Sequence, residues 1–308
     1  MGCRHETVSF LSDYGTDDEF VGVVHSVVRG LAPHVAIIDI THGIPAHDTR
    51  AGGLALARSA QYLCPGVVLA VVDPGVATSR RAVAVEVGDG ESVLVGPDNG
   101  LLAPAVAMVG GASRAVSLTD TGYHLSAPGP TFAGRDVFAP VAGHLANGVD
   151  LAELGEPVEP ASLTPSLLAV AAVEADGIHA EVLWIDRFGN VQLNVGPDEL
   201  SEVDATVGQV GDRIQVTIAG RVRSATRVVA YDEVQSGAVG LLVDSYGLVS
   251  LVVQRASAAA DLGVVAGDAV LLSSPGEVPP GGDPGVTTPV ELGSTPALCC
   301  ASARPSPR

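Results

Sequence analysis

Residues 67–75 read VVLAVVDPG, six consecutive apolar side chains that end on a carboxylate and a turn. A run this short, with no polar face, belongs to a strand buried on both sides, which is the signature of a parallel sheet covered by helices. The flanks agree. Before it come a strand at Val8–Leu11, a helix over Glu19–Leu31 with Phe20, Val23, Val24, Val27 and Val28 on one side, a strand at Val35–Ile40 and an Ala-rich helix over Thr49–Leu63. After it the spacing predicts strands at Ala82–Val87, Ser92–Val95 and Ala115–Leu118, and helices over Leu101–Val109 and Asp136–Ala146. Strand–helix alternation of this kind predicts an α/β domain with a mainly parallel sheet, taken here as residues 1–160.

The second half has another character. Glu156–Ser166, with three prolines, reads as a linker, and helical periodicity then nearly vanishes. Short strands are predicted at Leu168–Val173, His179–Ile185, Val191–Val195, Arg213–Ile218, Thr226–Ala230, Leu241–Val243 and Leu248–Val253. Turn signals such as Phe188-Gly189-Asn190 and Tyr246-Gly247 separate them. That pattern predicts a smaller β-barrel domain over 161–274. From Pro275 to Arg308 the chain holds eight prolines and five glycines. Such a composition buries no core and predicts a disordered tail.

The chain has 308 residues and a formal charge of −19. Acidity on this scale excludes a nucleic-acid surface, which needs clustered cations. All 16 basic residues are arginine, so Schiff-base, Walker-type and general-base lysine chemistry is excluded. Cys3, Cys64, Cys299 and Cys300 form no C-x-x-C pair, and the eight histidines include no H-E-x-x-H helix. Neither a disulfide scaffold nor a metal motif is expected. His25, His34 and His144 read as ordinary, partly exposed histidines. No leader design and no membrane-length apolar run occurs, so a cytoplasmic protein is expected.

In an open parallel sheet ligands bind beyond the carboxyl ends of the strands. Three such ends carry polar groups: Asp13, Asp17 and Asp18 after the first strand; Asp39, Thr41 and His42 after the second; Asp73 after the third. The first group also suits a helix N-terminus, and Asp73 also suits an Asp-Pro-Gly turn. Arg80, with Arg81 beside it, is close enough in sequence to return to Asp73 as a charge-assisted partner. Gly96–Gly100 reads as a turn, its Asn99-Gly100 pair being a hairpin signal. Asp186-Arg187-Phe188-Gly189-Asn190 reads as a hairpin loop that offers a carboxylate, an aromatic face and an amide side by side.

Six segments, in order, carry a resemblance. They are FLSDYGTDDEFVG (10–22), VVDPGVATSRRAV (71–83), VGPDNGLL (95–102), PTFAGRDVFAPVAGHLANG (130–148), IDRFGNVQLN (185–194) and DSYGLVSL (244–251). Together the chain resembles the S-adenosylmethionine (SAM) hydroxide adenosyltransferases, the adenosine-forming SAM hydrolases, which are related to fluorinase and chlorinase. The resemblance implies hydrolysis of SAM to adenosine and L-methionine, with no cofactor. It also implies a homotrimer whose sites lie between the N-domain of one subunit and the C-domain of the next.

Carried over by position, Asp13 is similar to the acceptor of the ribose hydroxyls. Asp18 and Asp186 are similar to partners of the methionine ammonium, and Ser245 to the residue that receives its carboxylate. Asn190 matches the amide that reads adenine, with Phe188 nearby. His47 stands where relatives carry a large aromatic, and Arg255 lies near the adenine edge where glycine is more usual. Of a catalytic Asp–Arg–His set, Asp73 and Arg80 match the first two members. Ala133 stands where the histidine is expected, which implies slowed or lost turnover. A carboxylate at 73 favours water over a halide: two unit charges about 4 Å apart repel by roughly 4 kcal/mol at an effective dielectric near 20. The rivals are a non-catalytic SAM or adenosine binder and, within the same fold, a halogenase.

Overall fold

The computed structural model describes residues 4–166, 169–202 and 212–275. The expected tail beyond Pro275, with Cys299 and Cys300, lies outside the described residues, as do Cys3 and Leu168.

The N-terminal half is one seven-stranded sheet with helices on both faces. Its elements in chain order are β1 (Thr7–Ser12), α1 (Phe20–Leu31), β2 (Ala36–Thr41), α2 (Thr49–Ala60), β3 (Val67–Val71), β4 (Ala82–Val87), β5 (Ser92–Pro97), α3 (Ala103–Met108), β6 (Ala112–Ser117), α4 (Ala139–Ala146) and β7 (Glu156–Val158). The sheet order is β2-β1-β3-β5-β4-β6-β7. The pairs β1–β2, β1–β3 and β3–β5 are parallel; β5–β4, β4–β6 and β6–β7 are antiparallel. The sheet is therefore mixed, parallel on the side that carries Asp13, His42 and Asp73. β3 lies near its centre and all five of its residues are buried, each worth about 1.5–3 kcal/mol of transfer free energy for a Val or Leu. One apolar core packs α1 and α4 against one face, with Val24 and Val28 of α1 buried in it. A second packs α2 and α3 against the other.

Three readings of this half are corrected. The segment taken as a linker begins as β7, because its first residues, Pro157 included, extend the sheet along β6 as a short edge strand. Asn99-Gly100 turns β5 into the approach to α3 and makes no hairpin. Its geometry is fixed by side-chain bonds, since Asn99 donates to the Val72 carbonyl (2.9 Å) and accepts from Leu101 N (3.2 Å). The helix expected from Asp136 is a π turn over Gly134–Phe138 that runs into α4.

The C-terminal half contains β8 (Ala172–Glu174), β9 (Gly177–Ile185), β10 (Val191–Leu193), α5 (Pro197–Glu202), β11 (Arg213–Ile218), β12 (Arg221–Arg227), β13 (Val239–Val243), β14 (Val249–Val253), α6 (Ala258–Leu262) and β15 (Ala269–Ser273). Seven strands close on themselves in the order β10-β14-β13-β12-β11-β15-β9, with β9 pairing back onto β10. β8 extends the edge of β9 outside the ring. Alternate side chains such as Ile214, Val216 and Ile218 fill the interior. Periodicity missed β15 and the short α5 and α6, and it placed a strand at Thr226–Ala230 where β12 runs over Arg221–Arg227, because arginines at 221, 223 and 227 leave little apolar alternation. Leu271 and Leu272 of β15 are hydrophobic neighbours with no alternation between them, and five- or six-residue helices show less than two turns of pattern.

Candidate active site

The parallel strands bring their carboxyl ends to one rim. β1 releases Asp13 and Tyr14, β3 releases Asp73, and the loop into the π turn passes over both. A cavity there is lined by Asp13, Tyr14, His47, Asp73, Phe132 and Ala133, among others. The space amounts to ≈ 250 Å³. Four residues singled out from sequence (Asp13, His47, Asp73 and Ala133) thus meet in one place.

Asp73 is its most constrained group. Its side chain is only 6% exposed, and Oδ2 is paired with Arg80. Oδ1 is buried and makes no hydrogen bond within the protein. Arg80 is itself held: it donates to the Arg81 carbonyl (2.8 Å) and its guanidinium lies 5.6 Å from the centre of the Phe138 ring. Burial pushes the Asp73 carboxyl up from its ordinary value. The charge and hydrogen bond of Arg80 and the Gly75 backbone oppose that shift without cancelling it, and Asp13 adds a smaller push upward. Arg81 is not a second partner; it pairs with Asp98 (2.6 Å) and so ties the 160s segment down through the Ser162 carbonyl (2.7 Å). Arg135 is taken by its neighbour Asp136 (2.5 Å).

Asp13 accepts from His47 N through Oδ2 (2.9 Å). His47 stands at φ 69°, a left-handed conformation uncommon outside glycine, and this bond ties its backbone to Asp13. Tyr14 is the residue that sequence reasoning missed. Its ring sits edge-on to Phe132 (5.7 Å between centres) and tilted against Phe20 (5.6 Å). Burial, then Asp13 and Asp73, hold its phenol well above the ordinary range, so it stays a neutral donor. Its hydroxyl lies so near Gly134 that a Cβ built there would stand 2.1 Å from Oη. The signal was the Phe-Ala-Gly triplet: a glycine at a helix entry marks a close approach.

The remaining predicted residues, except Asp18 in the loop between β1 and α1, sit on the barrel. Asp186, Phe188, Asn190 and Arg255 line a second cavity of ≈ 670 Å³, together with Tyr231 and Ser257. Asp186 organises the loop, since Oδ1 accepts from the backbone N–H of Phe188 and of Asn190 (2.9 Å each) and Oδ2 from Asn190 Nδ2 (2.7 Å). Gly189 at φ 83° permits the turn and packs on Ser257, where a Cβ would stand 2.1 Å from Oγ. Arg255 adopts φ 55°, which explains in physical terms why glycine suits that position. Phe188 is 77% exposed. Asp18 and Ser245 are exposed and line neither cavity. No residue lines both cavities, so within one chain the two groups stay apart.

The sequence pattern of the SAM hydroxide adenosyltransferase N-terminal domain matches residues 8–155, and that of the C-terminal domain matches residues 180–271. The chain belongs to the SAM hydroxide adenosyltransferase family. Among curated relatives, an (R)-S-adenosyl-L-methionine hydrolase of Salinispora tropica is 43% identical over 261 residues, spanning 85% of this chain and 95% of the relative. One from Thermus thermophilus is 39% identical over 273 residues, spanning 86% and 98%. A fluorinase of Actinopolyspora mzabensis is a more distant relative at 25% identity over 225 residues, 65% of this chain and 75% of the fluorinase. A crystal structure of an uncharacterised conserved protein from Thermotoga maritima matches with TM-score 0.79 at 30% identity, covering 86% of this chain and 99% of that one. In this chain the two matched patterns fall on the sheet and on the barrel respectively, and the cavity at the strand ends belongs to the first.

Proposed function

We propose that the chain hydrolyses S-adenosyl-L-methionine to adenosine and L-methionine by in-line attack of water on the 5′ carbon. The observation that carries this is Asp73: a buried carboxylate fixed by Arg80 through one oxygen, its other oxygen unpaired within the protein, on the wall of a cavity beside Asp13. The sulfonium already activates the 5′ carbon, and methionine leaves as a neutral thioether that needs no general acid. What remains is to hold water in line, at roughly 3–3.5 Å, and to accept its proton. The free Oδ1 suits both tasks, and its negative charge disfavours a halide in the same position.

In this reading Asp13 accepts from the ribose hydroxyls. Asp18 and Asp186 face the ammonium, Ser245 takes the carboxylate, and Asn190, Phe188 and Arg255 surround adenine, with His47 over the ligand. Because these groups lie on two cavities of one chain, the reading includes a homotrimer. Its sites form between residues 1–160 of one subunit and 161–274 of the next, with no cofactor, in the cytoplasm. Ala133, a methyl group on the cavity wall where a histidine is expected, favours a second reading in which SAM or adenosine is bound with little turnover.

Chromatographic analysis of products from SAM, with and without chloride, tests the proposal. Adenosine and methionine in equal amounts, unaffected by chloride and reduced about 10²–10⁴-fold by Asp73→Asn, is the expected result. Saturable SAM binding with no product, from this chain and from Ala133→His alike, would retire the hydrolase reading in favour of the binder.

A further inference from the structure

One cluster of chemistry-bearing groups lies outside this site. His25 on α1 and Asp39 and His42 at the end of β2 gather three potential ligand atoms within 4.8 Å of one another. His25 Nε2 lies 2.8 Å from Asp39 Oδ1 and His42 Nε2 lies 3.1 Å from the same oxygen. The first contact is a hydrogen bond. The second lies at ion-pair distance without the alignment of a full hydrogen bond, and His42 Nε2, on a side chain only 6% exposed, has no better-placed partner. A buried ring nitrogen served only by this misaligned contact is placed to give its lone pair to a cation.

The other ring nitrogen of His42 is well served. Nδ1 lies 2.7 Å from Ser12 Oγ, the kind of contact that fixes an imidazole's orientation and leaves its opposite nitrogen as a lone-pair donor. Phe10 packs against both imidazoles, with centres 4.6 Å from His42 and 6.0 Å from His25, and so restrains their rings. Asp39 is 44% exposed, which gives a cation a path in and water a place in its coordination.

From this geometry we propose that His25, Asp39 and His42 form a binding site for a divalent transition cation of the zinc class. Two imidazoles and one carboxylate suit zinc, cobalt or nickel; magnesium and calcium prefer sets made only of oxygen. Around zinc, ligands at about 2.0–2.1 Å stand roughly 3.3 Å apart in a tetrahedron. The two spacings to Asp39, 2.8 and 3.1 Å, therefore need only sub-ångström opening, and the three ligand atoms lie within 4.8 Å of one another. A second trio, Glu174, Asp176 and His179, has a different character. All three are exposed, and only one of them is an imidazole. It serves as the built-in control.

The experiment uses untagged full-length chain freed of metal by chelation. Zinc is titrated calorimetrically, and cobalt is followed by the visible bands of a four-coordinate ion. The expected result is one equivalent of either metal. Affinity should fall at least tenfold in His25→Gln and in Asp39→Asn, and about 10–100-fold in Ser12→Ala. His179→Gln and the double change Cys299→Ser/Cys300→Ser should leave it unaltered. Circular dichroism confirms that each variant is folded; His25 and Asp39 are partly exposed, so their replacement leaves the core intact. Absence of saturable binding, binding that survives both His25→Gln and Asp39→Asn, or binding lost only in the His179 or cysteine variants would each overturn the proposal.

Discussion

Gly134→Ala tests how tightly the cavity wall is drawn around Tyr14. A Cβ at 134 would stand 2.1 Å from Tyr14 Oη, 3.0 Å from Cζ and 3.2 Å from Cε2. Contacts under 3.0 Å essentially do not occur, so the hydroxyl must retreat by about 0.9 Å. It cannot retreat freely, because the ring is wedged between Phe20 and Phe132. Overpacking of this kind costs about 1–3 kcal/mol, while alanine recovers up to about 1 kcal/mol of helical preference over glycine. The single change should therefore destabilise by about 1–2 kcal/mol in urea unfolding. It should also weaken SAM binding, because the displaced phenol moves within the cavity. Tyr14→Phe removes the atom at 2.1 Å and leaves contacts of 3.0 and 3.2 Å that yield to shifts of a few tenths of an ångström. The double variant should recover most of the loss, with a coupling energy of about 1 kcal/mol or more. Additivity of the two changes to within about 0.5 kcal/mol would refute the contact, and with it the claim that glycine at 134 exists to seat this ring.

Other outcomes follow from the same wall. Ala133→His should raise the rate of adenosine formation by about 10²–10⁴-fold if a positioned acid–base group is what the site lacks; single-turnover kinetics measures it, and an unchanged rate in a folded variant would discard that assignment. The acid limb of the kcat/KM profile should lie above the ordinary aspartate value, because Asp73 must ionise and its pKa is raised; Arg80→Gln removes the main opposing influence and should move that limb further up. The same raised pKa sets a sign for stability: Asp73 binds its proton more tightly folded than unfolded, so its contribution is full below the ordinary aspartate value and is lost as pH rises through the folded one. Glu86 runs the other way, held low chiefly by its hydrogen bond to Arg114. Arg114 is half exposed and also pairs with Asp150, so Arg114→Ala should cost less than about 1 kcal/mol at neutral pH and nothing once Glu86 and Asp150 are both protonated, as unfolding at the two pH values would show.

Legibility in the sequence followed the length of each pattern. The six-residue apolar run at 67–72 gave β3 within one residue, and the alternation in Arg213–Ile218 gave β11 at its observed bounds. The parallel direction of the first strands was readable because helices separate them. The antiparallel half was not, because β4, β5 and β6 differ from buried parallel strands only in their partners. The Asp73–Arg80 pair was foreseeable from seven residues of separation. Tyr14 was not, since its role depends on Gly134, 120 positions away. His25 and His42 were unremarkable alone, as no spacing rule links a helix residue to a strand end 17 positions on.

The division of the candidate residues between two cavities has a genetic consequence. If each working site is shared between neighbouring chains, a chain carrying Asp73→Asn still offers an intact barrel half, and one carrying Asn190→Ala still offers an intact strand-end half. Two alleles that are each silent on their own would then restore one another when expressed together. In a mixed assembly, some junctions would receive the unaltered half from each parent.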